Sequence, residues 1–140
     1  MMDARTRALQ ALIRLRQTEV DQAKTALAEA VGKENAALDL VEKRRALIES
    51  EQERAVSGQV SMDDFRTWLP AGRDAVEQAQ KALSAARQVS DQAREVLIQA
   101  NAAQKAAQAI MDRRLEEEAE TRARREQTEI DDLSRRNRMG

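Results

Sequence analysis

Cysteine, histidine and tyrosine are all missing from this chain. Without cysteine there is neither a disulfide nor a thiolate metal site, and without histidine the carboxylates would be the only strong metal ligands. The same absences remove the usual nucleophile and base pairs, since the remaining Ser and Thr hydroxyls fall in helical stretches or in a turn. No glycine-rich phosphate loop occurs either. An enzyme is therefore not expected, nor a cofactor, nor a small-molecule substrate.

Aromatic residues are equally scarce, with one Phe and one Trp among 140 residues, too few to build a thick globular core. One proline, Pro70, and four glycines leave few places where the chain can turn. No stretch approaches the roughly 18 uncharged apolar residues of a membrane-spanning helix. The segment Met1–Ala11 carries Arg5 and Arg7 but no apolar run of the kind a secretory signal needs. A net charge of -1 gives no bulk attraction for nucleic acid or anionic lipid. These absences point to a soluble, cytoplasmic protein.

What the chain does have is alanine and charge. Hydrophobic residues make up 41% and charged residues 35%. Strong helix formers dominate, the profile of a long helix or coiled coil rather than a disordered chain. From Asp3 to about Val56 only Gly32 interrupts a helical pattern, at roughly 1 kcal/mol against Ala. Ile13, Val20, Leu27, Val41 and Ile48 fall on one seven-residue lane, broken by Glu34, with Leu9, Ala23, Ala30 and Ala37 on its companion. This is the seam of a coiled coil. The one strong punctuation is Ser57–Ser61, where Gly58 can take positive φ and Ser61 can cap a second helix, with Asp64 three residues on. Beyond it, Leu69, Val76, Leu83, Leu97 and Met111 keep the seven-residue step, interrupted by Ser90 and Gln104. Beside them runs a lane of small residues: Gly72, Ala79, Ala86, Ala93, Ala100 and Ala107. Small side chains let two helix axes approach closely.

The expected fold is all-α, a two-helix antiparallel coiled-coil hairpin forming a single domain over residues 1–140. The helices are expected at about 3–56 and 62–137, joined by a turn at 57–61. Pro70 removes a backbone hydrogen bond, so the second helix should kink there or properly begin there. At 1.5 Å per residue the helices span about 80 Å and about 114 Å, so the second must overhang. Counting outward from the turn, partner residue numbers sum to about 117, which pairs Val20 with Leu97 and Ile48 with Leu69 and leaves everything beyond about Arg114 without a partner. There the seam thins to Leu115, Ala119, Ala123, Ile130 and Leu133. The i, i+4 pairs Glu118 with Arg122 and Glu120 with Arg124 support a free-standing helix by tenths of a kcal/mol each.

Three clusters invite sharper readings. The run Glu116-Glu117-Glu118 points around a helix rather than converging, which favours a solvated face over a metal site. The arginines of the carboxyl end are cancelled by acidic neighbours and have no aromatic residue to stack bases, so nucleic acid is not an expected partner. Phe65, Trp68 and Leu69 lie at the tip with Leu47 and Ile48 opposite. A two-helix tip has little structure to bury a Trp, which reads equally as a partner-binding hot spot or as a local cap.

The opening ALQALIRLRQTEVDQAK, residues 8–24, resembles the start of the flagellar export protein FliJ family, with Leu9, Leu12, Leu15, Glu19 and Asp21 matching its Leu-x-x-Leu-x-x-Leu and Glu-x-Asp pattern. The close RREQTEIDDLSRR, residues 124–136, is similar to the family's carboxyl end. Pro70 and Gly72 at the tip lie outside the family's pattern. The resemblance implies a stalk in type III export that inserts its free ends into the hexameric export ATPase and presents the rest to the membrane export gate and to export chaperones. It places ATPase binding on Leu9, Leu12, Ile13, Leu15, Glu19, Asp21, Arg124, Arg125, Glu126, Ile130 and Leu133. Gate or partner binding falls to Leu47, Ile48, Phe65, Trp68 and Leu69. The chain would then touch the inner face of the membrane only through partners. Two other readings stand beside it: the equivalent stalk of an injectisome, and a generic structural coiled coil that homodimerises. An amphipathic membrane-surface helix is disfavoured because the polar faces lack a cationic excess.

Overall fold

The computed structural model describes residues 2–139. Two helices account for nearly all of them: α1, Ala4–Val56, and α2, Met62–Met139. They run antiparallel as an all-α hairpin, and at 78 residues against 53, α2 is the longer. Pro70 lies inside α2, so the second helix begins at Met62 and passes through the proline. The chain divides into two compact units, Asp21–Gln99 and Met1–Val20 with Ala100–Gly140.

In the unit Asp21–Gln99 the turn forms because α1, ending at Val56, is followed by Gly58, which adopts φ +83°. The Gly58 N–H donates to the Ala55 carbonyl at 3.3 Å and the Gln59 N–H to the Arg54 carbonyl at 2.9 Å. That paired closure satisfies carbonyls the helix would otherwise orphan. Ser61 opens α2, its Oγ accepting from the Asp64 N–H at 3.5 Å and its carbonyl accepting from the Phe65 N–H at 3.0 Å.

The seven-residue lanes are the buried lines of this unit. Ala23, Ala30, Val41 and Ala55 are buried from α1, and Phe65, Ala79, Leu83 and Ser90 from α2. Val41, 2% exposed, packs with Ala79 and Leu83, and Ala37 flanks them. Counting from the turn would have set Val41 against Val76. The register instead lies about one helical turn further along α2. The reason is at the tip, where Ser57–Ser61 and the first turn of α2 are used to reverse the chain, so that Ala55 is the last buried residue of α1 and Phe65 the first of α2.

Glu34 and Ser90, the breaks in the lanes that fall in this unit, meet each other. Ser90 is fully buried, and its Oγ lies 3.1 Å from Glu34 Oε2 and 3.1 Å from the Arg87 carbonyl, sharing one proton between them. Arg87 Nε stands 3.7 Å from Glu34 Oε1. A polar layer is thus satisfied inside an apolar seam, and no buried side-chain donor or acceptor among the described residues lacks a partner.

In the unit Met1–Val20 with Ala100–Gly140, Val20, Ala107 and Met111 are buried together with Thr6. From Ala119 to Met139 every described residue of α2 is exposed.

Candidate interaction sites at the open end and the tip

The open end is built on the capping of α1. Asp3 stands where a helix needs an acceptor for its orphan N–H groups, and its Oδ1 accepts the Thr6 N–H at 2.8 Å. Its Oδ2 accepts from the Arg114 guanidinium, whose Nε also donates to Thr6 Oγ1 at 3.2 Å and faces Glu118 at 3.5 Å. One arginine of α2 therefore ties off the first turn of α1. The Asp3 carboxyl is lowered from 3.8 to about 2, first by the Thr6 backbone N–H, then by the Thr6 hydroxyl and Arg114. Sequence reasoning missed this clamp. Its local half was visible, since an Asp three residues ahead of Thr6 and just before the first apolar lane is an N-cap signature.

Beside the clamp lies a groove of about 1050 Å³ whose lining includes Met2, Ile13, Met111, Leu115, Arg122 and Arg125. Of the residues expected to bind an ATPase, Ile13 and Arg125 share this groove. Leu9 and Leu12 are half-buried nearby on α1, and Leu15 is exposed. Glu19 is held by Arg16 at 3.0 Å, and Asp21 falls in the other unit. Arg124, Arg125 and Glu126 are exposed, as are Ile130 at 56% and Leu133 at 58%. The last two are large apolar side chains that no other element among the described residues covers.

At the tip the expected residues separate. Phe65 is buried, while Trp68, Leu69 and Ile48 are half-buried and Leu47 is 42% exposed. The Phe65 and Trp68 rings stand 6.2 Å apart at 37°. Trp68 folds down over Gly72, where a Cβ would come within 2.7 Å of its Cη2. Gly72 thus serves as the floor on which the indole rests, a close approach that only a residue without a side chain permits.

Among the described residues no group of three or more acidic side chains can hold a metal ion, and no helix is long and apolar enough to cross a membrane. What both ends offer is surface. The family model described as the flagellar FliJ protein matches residues 5–139, nearly the whole chain. No curated protein and no solved structure matches it.

Proposed function

Since the chain belongs to the flagellar FliJ protein family, we propose that it is the stalk of the flagellar export ATPase, binding the hexameric ring by its open end. Membership gives it a role related to flagellar export, in a family that is a non-enzymatic flagellar component. The observation that carries the finer reading is the bare stretch of α2. Past Arg114, the last of the described residues hydrogen-bonded to α1, the helix continues to Met139 with Ala119–Met139 exposed and with Ile130 and Leu133 uncovered. A helix whose apolar side chains have no intramolecular partner gains from a ring of subunits around it. Its charges of both signs suit a pore that is contacted without being gripped, because many buried ion pairs would resist a change of ring conformation. Any effect on hydrolysis comes from favouring or biasing the assembled ring.

The tip is assigned to the export gate and to export chaperones, with Leu47 as its most open apolar residue and Ile48, Trp68 and Leu69 contributing their outer faces. Phe65 supports that surface from inside. Co-purification with the export ATPase tests the reading. Deleting residues 120–140 is expected to leave the paired helices folded and to abolish binding and stimulation of the ATPase. A truncated protein that binds and stimulates normally sinks the assignment.

A further inference from the structure

α2 carries a second coiled-coil seam that no other element among the described residues packs against. From Ala71 to Gln99, the positions at alternating steps of four and three read Ala-Ala-Gln-Ala-Ala-Val-Gln-Val-Gln. None is charged, in a chain where 35% of residues are. All but the half-buried Ala75 are exposed, including Val89 at 53% and Val96 at 54%. This line lies about 100° around α2 from the seam that faces α1, one residue's rotation, which leaves room for a second helix beside α1. Alternating steps of three and four select a helix as occupant rather than a strand or an extended peptide.

We infer that a second copy of this chain docks there, α2 against α2, antiparallel about a twofold axis beside Arg87. In that register Val89 of each copy meets Ala85 of the other, Val96 meets Gln78 and Ala82 meets Gln92, so large residues face small ones or amides. The charges bordering the seam agree. Lys81 stands beside Glu95 of the second copy, and the symmetry makes that pair twice. Among the described residues of its own chain Lys81 pairs with Glu77 at 3.7 Å, both well exposed, an attraction worth little and easily exchanged. Gln88 meets its own equivalent near the axis.

From Ala75 to Gln99 the contact runs about 36 Å. A single helix–helix strip of that length buries on the order of 1,000 Å² in total, the bottom of the range for specific interfaces. The dimer is therefore weak and reversible, and dilute protein is monomeric. The inference goes beyond the stalk reading, uses none of the residues assigned to the ATPase or the tip, and stands or falls separately from it.

Sedimentation equilibrium of the full chain between about 5 and 500 µM tests the pairing. The expected result is a monomer–dimer equilibrium within that range. Val89→Glu should raise the dissociation constant by at least about tenfold, with unchanged helicity by circular dichroism because the site is exposed in the monomer. Lys81→Glu and Glu95→Lys should each weaken the dimer, and the double variant should restore it. Because the chain has no cysteine, Gln88→Cys should form an intermolecular disulfide on oxidation while Asp74→Cys should not, which separates antiparallel from parallel pairing. A wild-type chain that stays monomeric throughout overturns the inference. So does a dimer indifferent to Val89→Glu, or one in which the double charge reversal fails to rescue.

Discussion

Gly72→Ala sets two effects of opposite sign against each other. Replacing a helical glycine by alanine stabilises a helix by about 1 kcal/mol, because alanine has less backbone freedom to lose. At this position the new Cβ would lie 2.7 Å, 3.0 Å and 3.1 Å from three atoms of the Trp68 ring, all well inside contact distance. The α2 backbone cannot yield without losing its own hydrogen bonds, so the ring must swing away. Trp68 is half-buried, and lifting it off exposes on the order of 100 Å² of apolar surface, about 2.5 kcal/mol at the usual coefficient, taken as an upper bound. The net expectation is a chain about 1 to 1.5 kcal/mol less stable in urea unfolding. Trp68 is the only Trp and there is no Tyr, so intrinsic fluorescence reports this ring alone, and its emission should move to longer wavelength as the indole meets water. If the variant is instead more stable by about 1 kcal/mol with an unchanged spectrum, Trp68 does not rest on Gly72 and the account of the tip is wrong.

Trp68→Ala offers a complementary test of the same end: loss of partner binding by more than about 1 kcal/mol with helicity intact supports a hot spot, whereas lost stability with binding retained marks a local cap. Val41→Ala should cost about 2 kcal/mol in thermal or urea unfolding, because it opens a cavity against Ala79 and Leu83. Asp3 titrates at about 2 in the folded chain against 3.8, a lowered value, so its contribution is fully present above pH 4 or so and is lost as pH falls through about 2. Carbon NMR of the Asp3 carboxyl checks this, and Arg114→Ala should raise the value only slightly, since the Thr6 N–H is the larger cause.

Periodicity made much of this molecule readable. A coiled-coil seam repeats every seven residues, so the lanes through Val41 and through Ala79 could be traced without knowing their partners, and a lone glycine beside Ser57 located the turn. Phe65 could have been placed too, since it stands seven residues before Gly72 and extends the small-residue lane inward, while Trp68 lies beside that lane. Cross-helix facts were out of reach. Glu34 and Ser90 each read as a flaw in its own helix, because no single-helix pattern says that two flaws will face each other. Arg114 looked like one arginine among eight at the carboxyl end, although counting outward from the turn already set it opposite Asp3. The register itself slipped by about a turn, since counting treats the reversal as symmetric and the Ser57–Ser61 loop is not.

An Ala-lined seam is nearly the same at every heptad, so two such helices could be displaced along each other by seven residues and find almost the same neighbours again. Glu34 forbids it. Moved one heptad either way along α2, its carboxylate would lose the Ser90 hydroxyl and face Leu83 or Leu97, at a cost of about 1 to 3 kcal/mol for a partly buried acceptor left without that donor. The polar layer therefore acts as a mechanical detent: axial load on this part of the hairpin is resisted by one notch rather than by friction spread along the seam, and if it yields it should do so in a discrete seven-residue step.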